Sequence, residues 1–379
     1  MEWYGLIQQG SADSEGVLLL YDFLTDTRQE QPLFDAIMQL APIKEWKRVV
    51  FINAREMRLI TQQPYAASIR DLRRKSGDDQ FDEVYLARNY IGRGSALILR
   101  AYPKATRIQY GDGFGFVSSE EKERNVSSGK AHSSITVTLS RKARACARDI
   151  LYGKTPPPLG FDAAVLALPV DFAGNGLDDT PLLVPPRSQV VSVIHRCNSM
   201  LPDLNQYCER LLNDIQGDCY LYLPNMFTEA GFTPLDKEVA LYEEVIRQNS
   251  PVGSTLLIKL HPRTCSPVFD ILQPILEPDY TVKIISQGQF KSIPIELWTP
   301  LIARCPIVAF SSSSLSLRYL YDKDVIVGLS EDLVDKYFYK EITGDIRDML
   351  CFEREALLAL KTWDGQSILW KPKLENNNA

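Results

Sequence analysis

The chain has 379 residues, 45% of them hydrophobic, and its 42 Lys and Arg against 48 Asp and Glu give a formal net charge of -6. That length exceeds one ordinary core and predicts two domains of roughly 150–200 residues each. The acidic balance argues against a nucleic-acid binder, and no stretch of about 18 apolar residues predicts a membrane span.

The opening Met1-Glu2-Trp3-Tyr4 lacks the basic region and apolar run of a signal peptide. The seven cysteines, Cys146, Cys197, Cys208, Cys219, Cys265, Cys305 and Cys351, contain no Cys-x-x-Cys pair. An odd, scattered set argues for a reducing compartment and against structural zinc, and most should act as small buried hydrophobes. A cytoplasmic location is expected, with peripheral contact at the inner membrane left open. The basic stretch Arg70-Asp71-Leu72-Arg73-Arg74-Lys75 reads first as a solvated helix face and second as a contact for an anionic surface.

Apolar strands alternate with longer helical patterns. In the first half the predicted strands are Val17–Tyr21, Arg48–Ile52, Glu83–Ala87, Arg107–Tyr110 and Ala163–Leu168. In the second half they are Cys219–Leu223, Thr255–Leu260, Thr281–Ile285, Ile307–Phe310 and Val325–Leu329. Runs that are apolar nearly throughout suit strands buried on both faces, and the alternation implies βαβ units with parallel sheets. Leu204, Tyr207, Cys208, Leu211, Leu212 and Ile215 fall on one helical face. Thr233-Pro234 reads as an N-cap and first-turn proline for a helix over Leu235–Gln248. The Pro- and Gly-rich stretch Asp171–Arg187 reads as an interdomain linker. The expected architecture is therefore α/β, with two Rossmann-like, doubly wound domains facing a central cleft. They span residues 1–180 and 188–365, with a polar tail over 366–379.

Three motifs follow strands. Tyr110-Gly111-Asp112-Gly113 puts a carboxylate between two glycines, where the backbone can turn tightly and leave it unobstructed. It could take a proton from an attacking hydroxyl, although alone it is an ordinary Gly-Asp-Gly turn. In Lys259-Leu260-His261-Pro262-Arg263 the proline biases His261 toward extended backbone at the strand end, with positive charge on either side. The chain has only His132, His195 and His261, so a metal site built on several histidines is not expected. Ser311-Ser312-Ser313-Ser314 precedes a helical pattern, where serines can cap the helix or offer donors to an anion. Glu296, after Pro294, is either an exposed first-turn residue or an acceptor for ribose hydroxyls. Asp322-Lys323-Asp324 has the form of a metal-binding Asp-x-Asp but reads as a solvated turn, and no metal is expected.

In this order, the acidic-Gly, His-Pro and Ser-Ser motifs resemble those of the bacterial GT-B sialyltransferases and polysialyltransferases. The resemblance is fullest from Tyr220 to Leu329; in the first half it rests on the Asp112 segment, where Gly111 stands in place of a second acid. It implies an inverting, metal-independent transfer of sialic acid from CMP-sialic acid to a bacterial surface glycan such as capsule, O-antigen or lipooligosaccharide. It further implies Asp112 as general base and His261 as ligand of the CMP phosphate and helper of the leaving group. Ser311, Ser312 and Ser313 would bond the same phosphate, and Glu296 the ribose. Lys259, Pro262 and Arg263 join the donor site by position. No cofactor is implied beyond the CMP-sugar substrate, and the partners are that donor and a glycan acceptor. Transfer of another CMP-activated acid, such as Kdo or legionaminic acid, would use the same parts. An epimerase or hydrolase on two such domains, or a non-catalytic assembly scaffold, also remains open.

Overall fold

The computed structural model describes residues 15–21, 35, 38–41, 45–77, 80–87, 93–111, 161–166, 168, 181–261, 264, 267–285 and 288–361. The chain divides into two compact units. The first holds the described residues up to Pro186, apart from 35 and 38–41; the second holds those and the residues from Arg187 onward.

In the first unit β1 (Val17–Tyr21) pairs in parallel with β2 (Arg48–Ile52). The helix α1 (Ala54–Thr61) starts where the Asn53 side chain accepts the Glu56 N–H at 2.9 Å. Next, α2 (Tyr65–Ser76) ends at Gly77, whose φ of 77° is the left-handed conformation that glycine adopts without strain. Then come β3 (Glu83–Ala87), α3 (Arg93–Ala101), β4 (Thr106–Gly111), β5 (Ala163–Leu166) and β6 (Leu182–Leu183). The four strands β3 to β6 form one parallel sheet in chain order. Ile52, Met57, Ile60, Leu72, Leu97 and Ile98 pack as a core.

The basic stretch on α2 is partly used inside this unit. Arg73 Nε donates to the Ala101 carbonyl at 2.7 Å, and Lys75 pairs with Glu56 at 3.3 Å. The strand β6 falls inside the stretch expected to be a linker. Two residues are too few to show periodicity, so proline and glycine dominated the reading there.

In the second unit α4 (Arg187–Ser199) and α5 (Pro202–Asn213) lead into β7 (Cys219–Leu223). Then follow α6 (Leu235–Asn249), β8 (Thr255–Lys259), α7 (Val268–Leu276), β9 (Thr281–Ile285) and α8 (Gly288–Lys291). A 3₁₀ turn (Ile295–Leu297), α9 (Thr299–Arg304), β10 (Ile307–Ala309), α10 (Ser313–Tyr321) and β11 (Val325–Val327) come next. The unit closes with α11 (Glu331–Tyr337) and α12 (Thr343–Lys361).

All neighbouring strands here are parallel, in the order β11-β10-β7-β8-β9. This is the Rossmann order, with its reversal between β7 and β10. Every residue of β8 is buried, as expected of a central strand covered on both faces. Two parallel α/β units in one chain are the domain content of the GT-B fold.

Thr233 departs from its expected role. The N-cap position of α6 is Pro234, with no side-chain cap, and the Thr233 hydroxyl donates instead to the Tyr337 carbonyl at 2.6 Å. Near β10, the Gly328 N–H donates to the Ala309 carbonyl at 2.7 Å. A Cβ on Gly328 would come within 2.8 Å of the Phe310 ring, so that ring occupies the space a side chain would need. Of the described cysteines, Cys197, Cys208, Cys219 and Cys305 are buried and Cys351 is exposed. The sulfurs of Cys219 and Cys305 lie 3.1 Å apart. Among the described residues no helix is long and apolar enough to cross a membrane.

Candidate functional site

Where strand order reverses, the loops after β7 and β10 part and leave a crevice at the carboxyl edge of the sheet. The serine motif begins at Ser311, two residues beyond the end of β10. The Phe310 N–H donates to the Leu223 carbonyl at 3.1 Å, continuing the pairing of β10 with β7. Asn225 spans the two loops: its Nδ2 donates to the Phe310 carbonyl at 3.2 Å, and its Oδ1 accepts the Met226 N–H at 2.9 Å. The Tyr242 hydroxyl donates to the Asn225 carbonyl at 2.8 Å. Glu238, 1% exposed, accepts the N–H groups of Phe227 at 3.2 Å and Thr228 at 2.8 Å. The loop after β7 is thus held by main-chain and side-chain bonds together. Sequence reasoning did not single out Asn225; its signal was a polar residue two steps past a buried strand.

The four serines divide into two groups. Ser314 is fully buried and donates to Glu353. Ser311, Ser312 and Ser313 are partly exposed. The hydroxyls of Ser311 and Ser313 lie 2.9 Å apart, and Ser312, at the N-cap position of α10, makes no side-chain cap. Capping by the motif, expected from sequence, is therefore not how its hydroxyls are used. Three hydroxyls at a helix start can receive an anion, while the Ser314 and Leu315 amides are taken by the Ser311 and Ser312 carbonyls at 3.2 and 3.1 Å.

Glu296 lies in the 3₁₀ turn and is tied to the same helix. Its carboxylate accepts the Ser316 hydroxyl at 2.6 Å, and its carbonyl accepts the Tyr321 hydroxyl. Lys259, the last residue of β8, is 6% exposed. Its Nζ donates to the Lys291 carbonyl at 3.3 Å and sits 5.4 Å from the centre of the Trp298 ring. Burial pushes the Lys259 ammonium down to about 8; the Glu296 charge opposes that shift and the Lys291 charge adds to it. His261 follows two residues later, partly buried, and its carbonyl accepts the Thr264 N–H at 3.0 Å.

Lys259 ends β8, Glu296 lies between β9 and β10, and the serine motif follows β10; the Glu296 carboxylate bonds Ser316 of α10, and its charge acts on Lys259. Asp112, Pro262 and Arg263 lie outside the described residues. Asp322 and Asp324 sit in an exposed turn, and both pair with Arg318, at 3.3 and 2.9 Å. Among the described residues the charged side chains less than a tenth exposed are Glu238, Lys259 and Glu353. All three bond loops or helix ends on the carboxyl side of the sheet. Buried charge of this kind is costly unless a site uses it.

The lowered value of Lys259 has a stability consequence. Below pH 8 the folded chain holds a charged, desolvated ammonium; between about 8 and the ordinary lysine range the folded state gives up its proton first, and stability rises with pH. Lys259→Met is expected to be the more stable chain at pH 7, by on the order of 1–3 kcal/mol, with the gain shrinking toward pH 10. Urea unfolding at both pH values reads this. A variant less stable at pH 7 would mean that the Trp298 and Lys291 contacts outweigh desolvation.

Residues 197–326 match the family model described as alpha-2,8-polysialyltransferase (POLYST). No curated protein is recognisably similar to the chain in sequence. Similar solved structures include a UDP-GlcNAc 2-epimerase from Methanocaldococcus jannaschii, 11% identical over 80% of each chain, with a TM-score of 0.38. Another is the UDP-GlcNAc 2-epimerase from Neisseria meningitidis bound to UDP-GlcNAc, 11% identical over 80% of this chain and 79% of that one, TM-score 0.41. A third is the M. jannaschii enzyme in complex with UDP-GlcNAc and UDP, 12% identical over 81% of this chain and 82% of that one, TM-score 0.41. The matched segment contains Lys259, His261, Glu296 and the serine motif. The similarity to the alpha-2,8-polysialyltransferase family is confined to residues 197–326 and supports a glycosyltransferase of the sialyltransferase class.

Proposed function

We propose that the protein transfers sialic acid from CMP-sialic acid to a hydroxyl of a bacterial surface glycan, with inversion and without a metal ion. The observation that carries this reading is the hydroxyl cluster Ser311–Ser313 at the start of α10, with Glu296 bonded to Ser316 of the same helix, inside the segment that matches the family. The hydroxyls at the start of α10 would receive the phosphate of CMP, with His261 as a further donor. Glu296 would accept from the ribose. Lys259, buried beneath, would add positive potential without touching the ligand.

Sialic acids carry a carboxylate beside a quaternary anomeric carbon. As the bond from that carbon to the phosphate oxygen breaks, positive charge grows on the sugar and negative charge on CMP. Donors already fixed around the phosphate stabilise that charge, which is commonly the largest catalytic contribution. Asp112, the next residue in sequence after β4, would take the proton of the acceptor hydroxyl as its oxygen bonds the anomeric carbon. One in-line displacement inverts the configuration. His261 and the hydroxyls would stabilise the phosphate charge that a divalent cation stabilises in other transferases.

Calorimetric titration with CMP, with UDP and GDP as controls and EDTA present, tests the donor site. Selective CMP binding is expected, and preference for UDP would overturn the reading. His261→Ala is expected to weaken both CMP binding and turnover; unchanged CMP affinity would remove His261 from the phosphate. Asp112→Ala is expected to cut transfer by roughly 10²–10⁴-fold while CMP affinity stays nearly constant. Full turnover by that variant would exclude Asp112 as the base.

A further inference from the structure

Glu353 is the least expected of the buried charges. It sits mid-helix on α12, on the face that also carries the buried Ile346, Leu350 and Ala356. A core stripe of this kind is normally apolar. The side chain is 6% exposed, and its carboxylate accepts the hydroxyl of Ser314 from α10. Burial pushes the carboxyl up to about 7; the Ser314 hydroxyl and the Arg354 charge both oppose that rise. Arg354 itself faces Glu331 of α11, at 3.9 Å. A single hydroxyl is a meagre partner for a buried carboxylate, and an apolar residue at 353 would remove that burden.

What the bond does hold is the serine motif. The Ser314 N–H donates to the Ser311 carbonyl at 3.2 Å, and the Ser311 hydroxyl lies 2.9 Å from that of Ser313. A continuous line of hydrogen bonds therefore runs from Glu353 through Ser314 to the exposed hydroxyls. We propose that Glu353 is a positioning residue of the donor site: by taking the Ser314 hydroxyl it fixes the first turn of α10, and with it the hydroxyls that meet the donor phosphate. The inference rests on the donor-site reading above. Glu353 also lies outside the segment that matches the family, so the site draws on the chain beyond residue 326.

The test is CMP titration of the full chain, together with thermal unfolding, for the parent, Glu353→Ala, Glu353→Gln, Ser314→Ala and the double Ala variant. Glu353→Ala and Ser314→Ala should each weaken CMP binding about five- to tenfold, as loss of one orienting hydrogen bond does. Glu353→Gln keeps an acceptor oxygen and should stay within about twofold of the parent. The double variant should bind no more weakly than the poorer single one, because the two residues act through one bond. Should Glu353→Ala fail to fold, Ser314→Ala removes the same bond with a smaller change and carries the test. Variants that lose melting temperature yet bind CMP like the parent would overturn the inference alone, as would additive losses or a Glu353→Gln as weak as Glu353→Ala. A parent chain that does not bind CMP would overturn the donor-site reading and this inference with it.

Discussion

A parallel sheet brings the carboxyl ends of all its strands to one edge, and in the second unit the strand order reverses there, between β7 and β10. The connection after β7 must leave for β8 on one side, and the connection after β10 for β11 on the other. Their divergence opens a crevice that the fold cannot fill with its own backbone. Among the described residues of this unit, the buried charged side chains Glu238, Lys259 and Glu353 bond loops or helix ends on that side of the sheet. Asn225 bridges the crevice, Glu238 pins one wall, and Glu353 braces the other.

These buried groups work against stability individually. A desolvated lysine with a carbonyl and an aromatic face for partners is worse for folding than a methionine of similar reach. A carboxylate under a helix start is worse than a leucine. The apolar remainder of the unit supplies the margin. Tyr222, Leu241, Leu256, Ile258, Leu272 and Val308 belong to one cluster packed around the sheet, nearly all fully buried. Stability generated in the middle of the sheet is drawn down at one end of it, where fixed dipoles and charges can act on a ligand.

Much of this was legible in the sequence. Five strands carry the bounds that their apolar runs predicted, β8 and β10 fall one residue short, and β4 runs slightly longer. Local pattern suffices there because a doubly covered strand has no polar positions to confuse it. The serine motif stood out because polar residues directly after buried strands have few structural uses; Lys259 and Glu296 were named only through the resemblance and by position. What escaped was decided by distant partners. Thr233 had the local form of a cap, but a carbonyl 104 residues away takes its hydroxyl. Ser314 was one serine among four until a carboxylate 39 residues later separated it from the rest. Glu353, in a helix rich in acids and bases, looked like any solvated position. The two-residue β6 had too little pattern of its own to be read.

Phe310 immediately precedes the serine motif, and its ring stands edge-on to Tyr242 at 4.8 Å while occupying the space beside Gly328. The two positions therefore share one volume. A side chain can fill it from 310 or from 328, but not from both. Across sequences with this fold, bulk at 310 and bulk at 328 should trade against each other. The glycine, silent in any motif, would then mark the lineages that anchor their serines with an aromatic ring.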